Sequence, residues 1–146
     1  ESQNALRSEK IVELKNNKIA SRVKDLSLKF DLPVRSYEKI KKDKAGGVNF
    51  YVNSERKIFS PEQGVIAYTG KLSTYGNVIV VKHKGGYQSI ILGDIISNVQ
   101  KKQKVSKGSA IGRIVKNNGD LKKVYFELRN KDQKITYDRM LKGISI

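Results

Sequence analysis

The sequence predicts a mainly β protein, an antiparallel β-sheet or sandwich preceded by an N-terminal α-helix. Three observations carry this. From residue 32 onward, short runs rich in valine, isoleucine and tyrosine are punctuated by glycine-bearing turns, the pattern of antiparallel strands. Within them, Lys123-Val124-Tyr125-Phe126-Glu127-Leu128-Arg129 alternates strictly between two faces, as a strand does. Residues 4–29, by contrast, repeat apolar side chains every seven positions and contain no glycine or proline.

The chain has 146 residues, which suits one domain and an appendage: a helix over 1–31 and a β domain over 32–146. Hydrophobic residues make up 38%, enough for a core and too many for wholesale disorder. With no cysteine, disulfides and thiolate metal sites are excluded. No apolar run approaches the roughly 20 residues that span a bilayer. The chain begins at Glu1 with no visible signal peptide, so its start leaves the compartment open. The formal charge of +16 fits either a lysine-rich solvated surface or attraction to an anionic partner: nucleic acid, lipid headgroups, cell-wall polymer or acidic protein.

The helix is justified by Ala5, Val12, Ile19 and Leu26 at seven-residue intervals, with Val23 and Phe30 between the later ones. Glu9 and Asn16 make the early part of this seam polar. The helix either packs on its own domain or ends a longer coiled coil, and Pro33 disfavours helical geometry at Leu32. Residues 39–44 read as a basic loop. Gly46-Gly47 turns the chain into a strand over 48–52. Turns at 61–64, 73–77 and 84–86 introduce strands over 65–68, 78–81 and 87–92. Asn117-Asn118-Gly119-Asp120 turns the chain into the last strand. There, Val124, Phe126 and Leu128 face the core, and Lys123, Tyr125, Glu127 and Arg129 face away. Phe126→Ala is therefore expected to cost stability, while Tyr125→Ala and Arg129→Glu should leave folding nearly intact.

Several pieces, in this order, resemble the LytM-like (lysostaphin-type) zinc endopeptidases. Residues 123–129 resemble that family's terminal His-Leu-His-Phe-Glu-Ile-Arg. Leu32-Pro33-Val34-Arg35 is similar to its Pro-Val-Arg/Lys-Gly segment, and Gly47-Val48 to the centre of His-x-Gly-Ile-Asp. The strands over 65–92 match Gly-x-Val-x-Tyr-Ala-Gly, Gly-Tyr-Gly-Asn-x-Val-x-Ile-x-His-Gly and Tyr-x-Thr-Leu-Tyr-Ala-His. Val105-Ser106-Lys107-Gly108-Ser109-Ala110-Ile111-Gly112 matches Val-Lys-Lys-Gly-Gln-x-Ile-Gly. The likeness covers about residues 32–142 and implies the family's duplicated-hybrid-motif domain. Lys134-Ile135-Thr136-Tyr137-Asp138 departs from the usual Pro-Val-Asn-Pro-Leu.

By this register the family's active-site positions hold Ala45, Asn49, Lys123 and Tyr125, with Gly93 or a neighbour at a further histidine. A catalytic zinc needs about three His, Asp, Glu or Cys ligands and an open position. The chain has one histidine, His83, which matches a non-ligand histidine of the family. Asp94, Asp120 and Glu127 show no ligand spacing. A P-loop and a nucleophile elbow are absent. No metal, cofactor or catalytic residue is expected, and the chain is read as a non-enzyme.

Val124-Tyr125-Phe126-Glu127-Leu128-Arg129 is nearer to the Leu-Tyr-Phe-Glu-Ile-Arg of the EnvC-type branch, which with the NlpD type activates cell-division amidases. In that branch a degenerate groove holds a helix of the amidase and displaces its autoinhibitory segment. The resemblance implies a non-catalytic factor that binds and activates an N-acetylmuramoyl-L-alanine amidase in peptidoglycan remodelling, in the periplasm or cell envelope. Its groove would include Asn49, Tyr75, Ile91, Tyr125 and Arg129, with Lys44 and Lys123 at the rim. Peptidoglycan, and divisome proteins reached through the N-terminal helix, are further expected partners. The alternative is a peptidoglycan-binding or scaffold module without a hydrolase partner. A specific nucleic-acid binder lacks motif support.

Overall fold

The computed structural model of the protein describes residues 30–115, 120–131 and 133–135. The helix expected over 4–29, the turn at 117–119 and the segment 136–138 lie outside the described residues. The described residues form strands β1 (Lys39–Lys42), β2 (Val48–Val52), β3 (Arg56–Phe59), β4 (Gly64–Lys71), β5 (Asn77–Lys82), β6 (Tyr87–Gly93), β7 (Ile95–Ser97), β8 (Lys104–Val105), β9 (Ala110–Ile114), β10 (Lys122–Asn130) and β11 (Gln133–Ile135).

Two antiparallel sheets result. The larger runs β1-β2-β10-β6-β5-β4-β8, with β11 also on β10, and the smaller runs β3-β9-β7. Alternation explains which face each strand buries. Val48, Phe50 and Val52 of β2, Ile79 and Val81 of β5, Ile91 of β6 and Val124, Phe126 and Leu128 of β10 point inward from the large sheet. They meet Ile58 of β3, Ile95 of β7 and Ile111 and Ile114 of β9 in one buried cluster. Full burial of each such side chain contributes about 1.5–3 kcal/mol.

The start of the described chain is tied to this core. Phe30 packs its ring 5.3 Å from His83 and 5.2 Å from Tyr87. The Asp31 N–H donates to the Pro61 carbonyl and the Phe59 N–H to that of Pro33. Among the described residues no helix is long and apolar enough to cross a membrane.

The expected basic loop over 39–44 is corrected in part. Its first four residues form β1, paired only with β2, from Lys39 opposite Tyr51 to Lys42 opposite Val48. Lysines on such an edge strand discourage pairing with another chain. The small sheet was also missing from the sequence reading. Arg56-Lys57-Ile58-Phe59 sends only Ile58 fully into the core, so a single apolar residue carries its signal.

Candidate functional site: a groove on the large sheet

The outward face of β10 builds the site with the turn that leads into β2. Tyr125 lies directly opposite Asn49, so the two positions aligned with zinc ligands of the family are cross-strand neighbours. The turn before β2 is held by Asp43. Its N–H donates to the Gly47 carbonyl at 2.9 Å, and the Gly46 N–H donates back to the Asp43 carbonyl at 3.0 Å. Gly46 sits at φ 110°, a conformation that needs glycine. The Asp43 carboxylate then accepts twice, from Asn49 Nδ2 at 2.8 Å and from the Ala45 N–H at 2.8 Å. Foremost the Asn49 bond, then that of Ala45, holds its carboxyl below the usual range, with Lys123 and Lys44 adding attraction.

A second chain of bonds runs along β10. The Tyr125 hydroxyl donates to Glu127 Oε1 at 2.6 Å, and Arg129 Nε donates to the other oxygen. Glu127 is only 5% exposed, so these partners offset the cost of a buried carboxylate. Burial first, and the neighbouring Glu127 second, push the Tyr125 hydroxyl well above its ordinary pKa, so it stays protonated. Gly47 makes room for the ring: a Cβ there would stand 2.7 Å from it and 2.3 Å from the Phe126 carbonyl oxygen.

These residues do not fit the zinc of the endopeptidases. Ala45 has no side-chain donor atom. Asn49 offers a neutral amide whose nitrogen is committed to Asp43, Tyr125 offers a protonated hydroxyl, and Lys123 carries an ammonium. A Cβ at Gly93 would lie 2.8 Å from the Lys123 carbonyl oxygen, leaving no space for the family's further histidine there. No group of three or more metal-ligating side chains is found among the described residues. Asn49 Oδ1 is buried without a hydrogen-bond partner, so the groove keeps one unanswered acceptor.

The structure thus brings together Asn49, Tyr125 and Arg129, with Lys44 and Lys123 close enough to act on Asp43. Tyr75 is 70% exposed in a short 3₁₀ turn between β4 and β5, next to Gly76, where a Cβ would stand 2.4 Å from the Gly93 carbonyl oxygen. Ile91 is a correction. It lies opposite Phe126, faces the core and is fully buried. The residue of β6 that shares the groove face with Tyr125 is Leu92. Sequence reasoning missed the roles of Asp43 and Glu127. Glu127 is signalled by its place between Tyr125 and Arg129 at two-residue spacing, and Asp43 by standing just ahead of a glycine turn.

His83 lies away from this groove, among buried groups. Its Nδ1 is 2.8 Å from the Gln63 carbonyl and its Nε2 2.7 Å from Ser89 Oγ. A carbonyl can only accept, so Nδ1 carries the proton and Nε2 accepts from the serine hydroxyl.

The description of peptidase family M23 matches residues 43–137. The cell division protein DipM of Caulobacter vibrioides is 29% identical over 85 residues, which are 57% of this chain and 14% of that protein. Lipoprotein NlpD of Yersinia enterocolitica is 28% identical over 85 residues, 58% of this chain and 88% of that one. Among solved structures, a putative peptidase M23 from Pseudomonas aeruginosa superposes with a TM-score of 0.67 at 15% identity, covering 92% of this chain and 63% of that one. Helicobacter pylori Csd3 superposes with a TM-score of 0.64 at 21% identity, covering 82% of this chain and 34% of Csd3. At these identities the structural likeness is one of fold.

Proposed function

The chain belongs to peptidase family M23, and from that premise we propose that it works by binding rather than by hydrolysis: a cell-envelope factor of peptidoglycan remodelling and cell division that docks on a cell-wall amidase and activates it. One observation carries this reading. Asn49 and Tyr125, which the resemblance aligns with metal-ligand positions, oppose each other and are tied by hydrogen bonds to Asp43 and Glu127. Such a groove is pre-organised at its centre, and its half-buried Tyr125 and Arg129 are of the residue types that dominate protein contacts. The similarity to a cell division protein and to a lipoprotein supports the envelope setting. Lys44, Asn49, Tyr75, Lys123, Tyr125 and Arg129 are the proposed contact residues.

The test is release of dye from labelled sacculi by the chain alone, by the host's amidases alone, and by both together. We expect release only in the mixture to exceed that of the amidases, and Lys44→Gln with Lys123→Gln to reduce it with at most a small fall in melting temperature. Cleavage by the chain alone, together with stoichiometric zinc in metal analysis, would overturn the reading. The surplus of lysine supports a second reading, a module that binds anionic wall polymer. It predicts salt-sensitive binding to sacculi without stimulation of any amidase.

A further inference from the structure

β8 ends the large sheet four strands away from β10, and a second concavity lies there. β8 is only two residues long and pairs with the first residues of β4, Gly64 opposite Val105 and Val65 opposite Lys104. Val65 also opposes Lys82 on β5, so Lys82, Val65 and Lys104 form one row across three strands. Directly opposed residues point to the same side of a sheet. Gly64 brings β4 tight against β5 at this point, where a Cβ would stand 2.3 Å from the Lys82 carbonyl oxygen. The turn after β5 adds Lys84. Between β4, β8 and that turn lies a cavity of about 460 Å³, lined by Gln63, Val65, Lys84, Lys104, Val105 and Ser106 with the backbone of Gly64. Small-molecule sites commonly run from about 300 to about 1,000 Å³.

The lining carries positive charge and no acid. Lys84 and Lys104 line the cavity and Lys82 shares a row with Lys104. All three are exposed, and none has a carboxylate partner among the described residues. Glu62, one residue before Gln63, lines the adjoining cavity at His83 and is taken by Lys107 at 3.6 Å. A cleft lined by one sign of charge focuses its field and concentrates counter-ions. The kind of cation then chooses among anions. Arginine presents a planar fork that suits carboxylates, whereas lysine is a compact point charge of the sort that holds phosphate. The cavity is lined by lysine and by no arginine. The rest of the lining is mixed. Val65, 38% exposed, and Val105 offer apolar surface, while Ser106 and Gln63 offer a hydroxyl and an amide. That combination suits a carbon skeleton bearing hydroxyls better than a bare ion.

We propose that this cavity binds a phosphate ester of a sugar or polyol. The phosphate sits between Lys84 and Lys104, with Lys82 adding to the attraction. Ser106 and Gln63 hydrogen-bond the ligand's hydroxyls, and its C–H faces cover Val65 and Val105. The cavity shares no residue with the groove around Tyr125, so the inference is independent of the amidase reading. It also differs from the loose hold of a lysine-rich surface on wall polymer, because a built cavity saturates at one ligand per chain.

The experiment is isothermal titration of the full chain with glucose 6-phosphate, inorganic phosphate, glucose and glucuronate. We expect glucose 6-phosphate to saturate at one per chain and to bind at least about tenfold more tightly than the other three. The double variant Lys84→Gln/Lys104→Gln should lose about tenfold in affinity at an unchanged melting temperature. The control Lys41→Gln/Lys57→Gln removes the same charge from β1 and β3 and should lose less than about twofold. Equal losses in the two double variants would mean that net charge alone binds, and overturn the inference. Glucuronate bound as tightly as glucose 6-phosphate would make the cavity a general anion site, and no saturable heat from glucose 6-phosphate would leave it without a ligand; each overturns the inference too. Competition then assigns the source of the ester. Displacement of glucose 6-phosphate by poly(glycerol phosphate) places the ester on a polymer, and displacement by phosphatidylglycerol vesicles places it on a lipid headgroup. Either supports the site, since the ligand displaced is the one held between Lys84 and Lys104.

Discussion

Asn49 shows how one residue lets the site exist without a metal. Its amide nitrogen donates to Asp43, which an aspartate at the same position could not do. Asn49→Asp would set two carboxylates at hydrogen-bond distance, and one would have to take up a proton. We expect that variant to lose about 1–3 kcal/mol at neutral pH and to recover part of it in acid, read from melting temperatures across pH. The parent behaves oppositely. Asp43 titrates below its unfolded value of 3.8, so its contribution is complete above that value and is lost as pH falls through the folded one. His83 gives a second window. Desolvation lowers its pKa below 6.5, against a smaller opposing effect of its bond to Gln63 and of Glu62. The folded state therefore prefers the neutral ring, and its contribution is present above pH 6.5 and lost as pH falls below it. The parent's melting temperature should fall between about pH 7 and pH 5, and His83→Gln should flatten that slope. An equal slope in the variant would remove His83 as its cause.

At the scale of the element, β10 separates stability from binding less cleanly than its sequence implied. Phe126 is 1% exposed, so Phe126→Ala should cost about 3–5 kcal/mol, seen as a large drop in melting temperature. Arg129 was expected to tolerate reversal to glutamate with little effect. The structure pairs it with buried Glu127, so Arg129→Glu would face one carboxylate with another. We expect a loss well above the roughly 0.5 kcal/mol of an ordinary exposed change, with Arg129→Lys milder in the same melt. The strand itself was legible because strict alternation over seven residues leaves one solution. Matching two motifs put Asn49 and Tyr125 in one groove, but their direct opposition on paired strands comes from the structure. Ile91 was misplaced because a shift of one residue in a strand exchanges its faces, and no turn signal fixed the register closely enough. β1 looked like a loop because a lysine-rich edge strand buries almost nothing. Asp43 carried only the signal of a residue ahead of a glycine turn, because its bond to Asn49 forms only once the turn has folded.

At the scale of the whole molecule, the charge of +16 has a definite geography. Among the described residues, Glu38, Glu55, Glu62, Asp94 and Glu127 are engaged by arginine or lysine, and Asp43 by Asn49 and Ala45, so the surplus sits on lysines such as Lys41, Lys82 and Lys104. Any polyanion will feel that field, and this distinguishes nonspecific from specific binding. Random DNA or wall polymer held by charge alone releases counterions on binding. With six to ten phosphate contacts its affinity falls by about 10³–10⁵ between about 50 and 200 mM salt. A protein partner seated on the groove would also bury apolar surface such as the Tyr125 ring, and that contribution does not weaken with salt. The chain should therefore retard random DNA at low salt without sequence preference and release it by about 200 mM. Its binding to a host amidase should fall far less over the same range. Parallel salt titrations by anisotropy decide the matter. If DNA and amidase leave with the same steep slope, apolar contact takes no part in binding and charge alone governs what the groove holds.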